Sequence, residues 1–145
     1  MNLTWSLIAS RDSKAFHATD IKSRMELDEL ITLYTAAWSE PDRVLREQIL
    51  ARVWAEDGTY TDPTAYVEGR KALGDHIEGF FKTFPGARFV VTSGIDTHHQ
   101  RLRFTWRMML ADGKVFAEGI DFGELAADGK LRQIAGFFGP LAAKA

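Results

Sequence analysis

The stretch RLRFTWRMMLADGKVFAEGIDFGELAADGKLRQIAGFF, Arg101 to Phe138, decides the fold. In its first part Leu102, Phe104, Trp106, Met108 and Leu110 alternate with Arg101, Arg103, Thr105 and Arg107. This period of two puts apolar side chains on one face of a strand and polar ones on the other. Asp112-Gly113 and Asp128-Gly129 are hairpin turn signals, so Val115 to Leu125 and Leu131 to Phe138 are expected to pair as antiparallel neighbours. The repeated ADGK is turn chemistry and not a domain repeat.

Upstream the period changes to that of a helix. Leu27, Leu30, Ile31, Tyr34, Ala37 and Trp38 follow the i, i+3, i+4, i+7 spacing of one helical face. Pro41 is expected to open a second helix with Leu45, Ile49, Leu50, Val53 and Trp54 on its inner side, ended by Asp57-Gly58. GTYTDP, Gly58 to Pro63, reads as a short strand with Asp62 extended at its end, because proline disfavours the helical region for the residue before it. After a turn through Gly69, the positions Leu73, Ile77, Phe80, Phe81 and Phe84 make a third amphipathic helix that Pro85-Gly86 stops, with His76 flanking its stripe. Phe89 to Ser93 is one more strand, and Asp96 to Gln100 a turn or strand start. Helices followed by a run of antiparallel strands indicate an α+β domain, with the helices on one face of a curved sheet.

Met1 to Arg24 has neither period, so residues 1–24 read as an N-terminal arm or leader and residues 25–145 as the domain. Composition sets outer limits. A net charge of -2, from 18 basic and 20 acidic residues, supplies no basic field for nucleic acid or for an acidic membrane surface. The chain has no cysteine, which excludes disulfides and thiolate chemistry. The apolar run Leu3 to Ala9 is too short and too interrupted to span a bilayer, and a cytoplasmic protein is expected.

One residue of the deciding stretch asks for a function. Asp121 has Gly119 and Gly123 two residues away on its own face, and Phe116, Ile120 and Phe122 on the other. A carboxylate next to open volume and away from bulk water has a raised pKa, because desolvation disfavours its charged form. The alternative is a carboxylate that only bonds backbone groups at a sheet edge.

Tyr34 in LYTAAW, Asp62 in TYTDP followed by EGR at Glu68 to Arg70, and Asp121 in IDFGELAADGKLRQIAGFF are where the chain resembles ketosteroid isomerase. More widely it resembles the SnoaL-like domains of the nuclear-transport-factor-2-like superfamily, over roughly Leu27 to Pro140, which implies that residues 25–145 form a SnoaL-like domain. The resemblance implies a cone-shaped fold in which three N-terminal helices pack on a strongly curved, mainly antiparallel sheet and enclose a pocket. It implies that Tyr34 and a protonated Asp121 donate to a developing oxyanion while Asp62 shuttles the proton. Such donors must already point at the carbonyl oxygen when charge appears on it. Trp54 and Ile77 stand where some isomerases carry tyrosines that support the oxyanion-hole tyrosine.

The function implied is an acid-base isomerase or cyclase acting on an apolar carbonyl compound without a cofactor. The alternatives are a non-catalytic ligand-binding or dimerisation module of the same fold, and an epoxide hydrolase resembling limonene epoxide hydrolase. The last lacks an aspartate on the final strand, where Gly136 stands. Trp38, Trp54, Tyr60, Phe80 and Phe84 are expected as pocket wall or core, together with Phe104, Trp106 and Phe138. His98 is expected to reach the pocket. Adjacent strand residues point to opposite faces, so His98-His99 does not make a metal site. A small apolar molecule and a second copy of the chain, docked through the outer sheet face, are the expected partners.

Overall fold

The structure is a computed structural model that describes residues 16–145, with side chains described from residue 26 onward. The expected arm at residues 1–24 lies largely outside the described residues. Helix α1 runs Phe16–Ala37, α2 Arg43–Val53 and α3 Arg70–Thr83. The strands are β1 Trp54–Asp62, β2 Ala65–Glu68, β3 Arg88–Val91, β4 Asp96–His98, β5 Arg101–Met109, β6 Val115–Leu125 and β7 Leu131–Phe138. They form one sheet in the order β2-β1-β7-β6-β5-β3, with β4 also paired to β5. Every pairing is antiparallel except β1 with β7.

The strands β6 and β7 have the bounds that the two Asp-Gly turns predict. Gly113 and Gly129 adopt positive φ, 84° and 86°, the left-handed region that glycine enters without a Cβ penalty. The β5 alternation is equally clear: Leu102, Phe104 and Met108 are buried while Arg101, Arg103 and Arg107 face out. Those arginines pair with Glu124, Asp96 and Glu118.

Three expectations need correction. Asp57-Gly58 does not end α2. The helix stops at Val53 and Trp54 opens β1 directly, with a register shift between Trp54 and Thr59 that absorbs Glu56, Asp57 and Gly58 as a bulge. Gly58 is needed there, because a Cβ would stand 2.6 Å from the buried Trp54 Nε1. Pro41 lies before the helix, and Asp42 is its N-cap, its carboxylate accepting from Leu45 N at 3.0 Å. Leu45 is 48% exposed, whereas Arg46 is buried. The Arg46 guanidinium donates to the Glu40 carbonyl and to Glu78 and lies 5.4 Å from the centre of the Phe81 ring, so a charged residue replaces the expected apolar one on the inner side.

Helix α3 buries Leu73 and Ile77, and the core joins them to Ile31, Leu50, Val53, Trp54, Leu131 and Ile134. EGR has a structural part in this arrangement. The Arg70 guanidinium donates twice to the Trp54 carbonyl, at 2.9 and 2.7 Å, across the junction of α2 and β1. Gly69, at φ 93°, donates its N–H to the Gly58 carbonyl. These bonds fix the start of α3 against β1, and so fix His76 and Phe80 opposite Tyr60 and Asp62. Among the described residues no helix is long and apolar enough to cross a membrane.

Candidate active site

Between the helices and the concave face of the sheet lies a cavity of about 590 Å³. Tyr34 from α1, Asp62 at the end of β1 and Asp121 in β6 all line it. Of the expected aromatic wall, Trp38, Tyr60, Phe80, Phe84, Phe104, Trp106 and Phe138 line it as well. Two expected wall residues do not. Trp54 is wholly buried in the core behind Tyr34, stacked on its ring at 5.8 Å and 16°, because it begins β1 on the helix side of the bulge. His98 is exposed on β4 at the far edge of β5, beside His99, which takes positive φ in the tight turn that follows. Among the described residues no cluster of His, Cys, Asp and Glu able to hold a metal occurs.

Asp121 is 6% exposed. Its register partners are Phe104 on β5 and Gly136 on β7. Ile120 and Phe122, its chain neighbours, belong to the opposite face, so the apolar surroundings of the carboxyl come from Phe104 and Trp106. Phe116 falls in the register shift between Met108 and Met109, and its ring instead meets Phe84 at 5.0 Å on the cavity wall. Trp106 Nε1 donates to Asp121 Oδ1 at 2.9 Å. Burial pushes the Asp121 carboxyl up to about 7, against the opposing pull of the Trp106 hydrogen bond and with help from the negative charge of Asp62.

Asp62 is in the opposite condition. Its Oδ2 accepts from the Tyr60 hydroxyl at 2.7 Å, and its Oδ1 from Thr64 N and Thr64 Oγ1, both at 2.7 Å. Partial burial would raise its pKa, but these hydrogen bonds, with the nearby His76, outweigh it and hold the carboxyl below its ordinary value. One carboxylate is therefore kept ionised and the other is poised near neutrality within a single cavity. Separated pKa values of this kind mark acid and base assignments.

Burial holds the Tyr34 hydroxyl protonated, its pKa well above the ordinary value, with the charges of Asp121 and Asp62 adding to the effect and the Trp38 indole opposing it. Burial does the same for Tyr60. Both phenols are donors at any physiological pH. The Tyr34 ring is backed by the face of Trp54, stacked on it at 5.8 Å.

Gly136 on β7 lies against both Asp121 and Asp62. A Cβ there would stand 2.8 Å from Asp121 Oδ1 and 3.8 Å from Asp62 Cβ. An aspartate at this position, where the epoxide-hydrolase resemblance wants one, would force the Asp121 carboxyl to move. Gly136→Ala is expected to cost about 1–3 kcal/mol through overpacking against Asp121, read as a lower midpoint in urea denaturation.

Sequence reasoning missed the partners of the acids. Tyr60 and Asp62 are two apart in a strand and so share a face, which was a usable signal for their bond. His76 and Phe80, four apart on α3, likewise share the cavity-facing side. Phe89 and Met108, also in the wall, carried no such mark. Thr64, one residue past the proline, was hidden because its bonds to Asp62 depend on the turn between β1 and β2.

The profile of the SnoaL-like domain matches residues 24–134. A SnoaL-like family protein from Agrobacterium tumefaciens, provisionally named an isomerase, is 33% identical; the match covers 80% of this chain and 99% of that one, at a TM-score of 0.76. A protein from a Jannaschia species, provisionally named a SnoaL-like polyketide cyclase, is 14% identical over 78% of this chain and 84% of that one, at a TM-score of 0.62. A Catenulispora acidiphila protein with a ketosteroid isomerase-like fold, in complex with trimethylamine, is 15% identical over 74% and 83%, at 0.60. The last two share the fold alone. No curated protein matches the chain. With the profile spanning most of the domain and a relative one-third identical along nearly its whole length, this chain belongs to the SnoaL-like domain family.

Proposed function

We propose that the cavity catalyses isomerisation or cyclisation of a neutral, apolar carbonyl compound by acid-base chemistry. The observation that carries this reading is the pairing, in one aromatic-walled cavity, of an ionised Asp62 with an Asp121 poised near neutrality beside the Tyr34 hydroxyl. Among the described residues the wall contains no lysine or arginine, which favours a neutral substrate over a carboxylate or phosphate. Aromatic faces bury a flat ligand with little loss of rotamer freedom.

Asp62 takes a proton from a carbon next to the carbonyl, and the electron pair moves through the new C=C bond onto oxygen. Tyr34 and protonated Asp121 donate to that oxygen as it becomes negative. Asp62 then returns the proton to a different carbon, which completes an isomerisation. In a cyclisation the enolate carbon attacks a second carbonyl, and the new alkoxide takes the proton from Asp62. Because the hydrogen bonds to Asp62 make it a weak base, the two donors carry most of the stabilisation of the intermediate. The provisional names of the Agrobacterium and Jannaschia proteins agree with this reaction class.

A panel of unsaturated ketones in heavy water, followed by proton NMR, tests the reading. Deuterium entry next to the carbonyl, dependent on Asp62, is expected. Binding without exchange across the panel would instead favour a ligand-holding module of the same fold.

Two copies are further proposed to pair through the outer sheet face, where Phe122 and Phe137 are 43% and 59% exposed and meet edge to face at 6.2 Å. Sedimentation equilibrium is expected to give the mass of a dimer, which Phe137→Lys converts to that of a monomer.

A further inference from the structure

We infer that Trp106 is a positioning residue that selects which oxygen of Asp121 carries the acid proton. An indole N–H can only donate. Asp121 Oδ1 receives that bond at 2.9 Å, and because the carbonyl oxygen of a neutral acid is a better acceptor than its hydroxyl, the bond favours the proton on Oδ2. A carboxylic acid without this bond has two equivalent ways to place its proton, and only one directs the donor correctly.

The sequence and the packing hold the indole to this task. Trp106 is the register partner of Gly119, two residues before Asp121 on the same face of β6. The ring lies across the glycine to reach the carboxyl, and a Cβ on Gly119 would come within 2.7 Å of Trp106 Cε2. Phe89 packs edge-on against the ring at 5.4 Å and Phe138 at 6.5 Å. On the other side of Asp121, Gly136 leaves room for Oδ1. Small residues at 119 and 136 thus place one carboxyl oxygen under the indole, with no competing donor from β7.

The titratable groups that act on Asp121 are Tyr34 from α1 and Asp62 and Tyr60 from β1. Both tyrosines stay protonated through the neutral range; among the described residues Asp62 is the charge that bears on Asp121, and His76 from α3 lines the same cavity and acts on Asp62. The inference rests on reading Asp121 as a donor, but its test uses no turnover and so fails separately from the proposed reaction.

The test follows the Trp106 indole N–H signal of the whole protein by nitrogen-proton NMR as pH is varied. The signal is expected to move with a single midpoint at the ionisation of Asp121, and Asp121→Asn is expected to abolish that movement. Trp106→Phe removes a hydrogen bond to the charged form, so the carbon signal of the Asp121 carboxyl is expected to titrate about 1–2 pH units higher than in the wild type. An indole signal that does not move across the Asp121 titration would overturn the inference, as would a movement that persists in Asp121→Asn. Should Trp106→Phe fold poorly, the wild-type and Asp121→Asn titrations still decide the question.

Discussion

Asp62→Asn lowers the rate of ketone proton exchange by about 10²–10⁴-fold, the usual contribution of a well-placed general base. The amide keeps the shape of the carboxylate, and its oxygen still accepts from Thr64 N and Oγ1. The Tyr60 hydroxyl, which now donates to Oδ2, turns to accept from the new NH₂ group. The fold therefore survives the change, and ligand affinity for a neutral ketone stays close to that of the wild type. The pattern expected is a large fall in kcat with a small change in KM, the sign of a group that acts on the reacting atoms. A second effect accompanies it. The charge of Asp62 helps to raise the Asp121 pKa, so Asp121 in this variant titrates at lower pH.

The second large effect is on stability. In the unfolded chain Asp121 ionises near 3.8, and in the fold near 7. Between these values the native state keeps a proton that the unfolded chain releases, so stability falls as pH rises from about 4 to about 7 and is level above that. The full loss is about 4 kcal/mol at most, a large part of what holds a domain of this size together. Asp62 works in the other direction and in another range: its lowered pKa adds stability above the ordinary aspartate value, which is lost only as pH falls through its lower folded value. Asp121→Asn removes the falling limb, because the amide has no charge to desolvate and its oxygen still accepts from Trp106. Urea denaturation over a pH series reads both curves. A wild-type curve that is flat from pH 4 to 7 contradicts the burial argument.

The part of the fold that sequence made legible is the part where local rules and tertiary packing agree. The β5 to β7 meander combines a period of two with glycines at the positive-φ turn positions, and β6 and β7 have the expected bounds to the residue, while β5 ends at Met109, one residue short of Leu110. Helix α3 was equally plain from Leu73 and Ile77. β1 was misread because Glu56, Asp57 and Gly58 look like a turn in isolation, and only the parallel partner β7 makes them a bulge within a strand. Leu45 was expected on the inner side that Arg46 takes instead, since the buried position of Arg46 depends on Glu40, Glu78 and Phe81 arriving from elsewhere.

The candidate site divides in the same way. Asp121 was conspicuous among its small and apolar neighbours, Tyr34 and Asp62 were joined to it by the resemblance to ketosteroid isomerase, and all three line the cavity. What sets their protonation was not identifiable. Trp106 meets Asp121 only through the register of β5 on β6, and Thr64 meets Asp62 only through the turn into β2. Trp54 and His98 were assigned to the cavity on residue type alone, and strand position sent one into the core and the other to the surface.

The proposed chemistry needs the two carboxyls to hold opposite states in one cavity. Carbon NMR titration of their side chains in the wild-type protein measures both in a single sample. Asp121 is expected to titrate near 7 and Asp62 below the ordinary aspartate value. If both carboxyls titrate together near the ordinary value, Asp121 is an anion at neutral pH, has no proton to donate, and the proposed chemistry is contradicted.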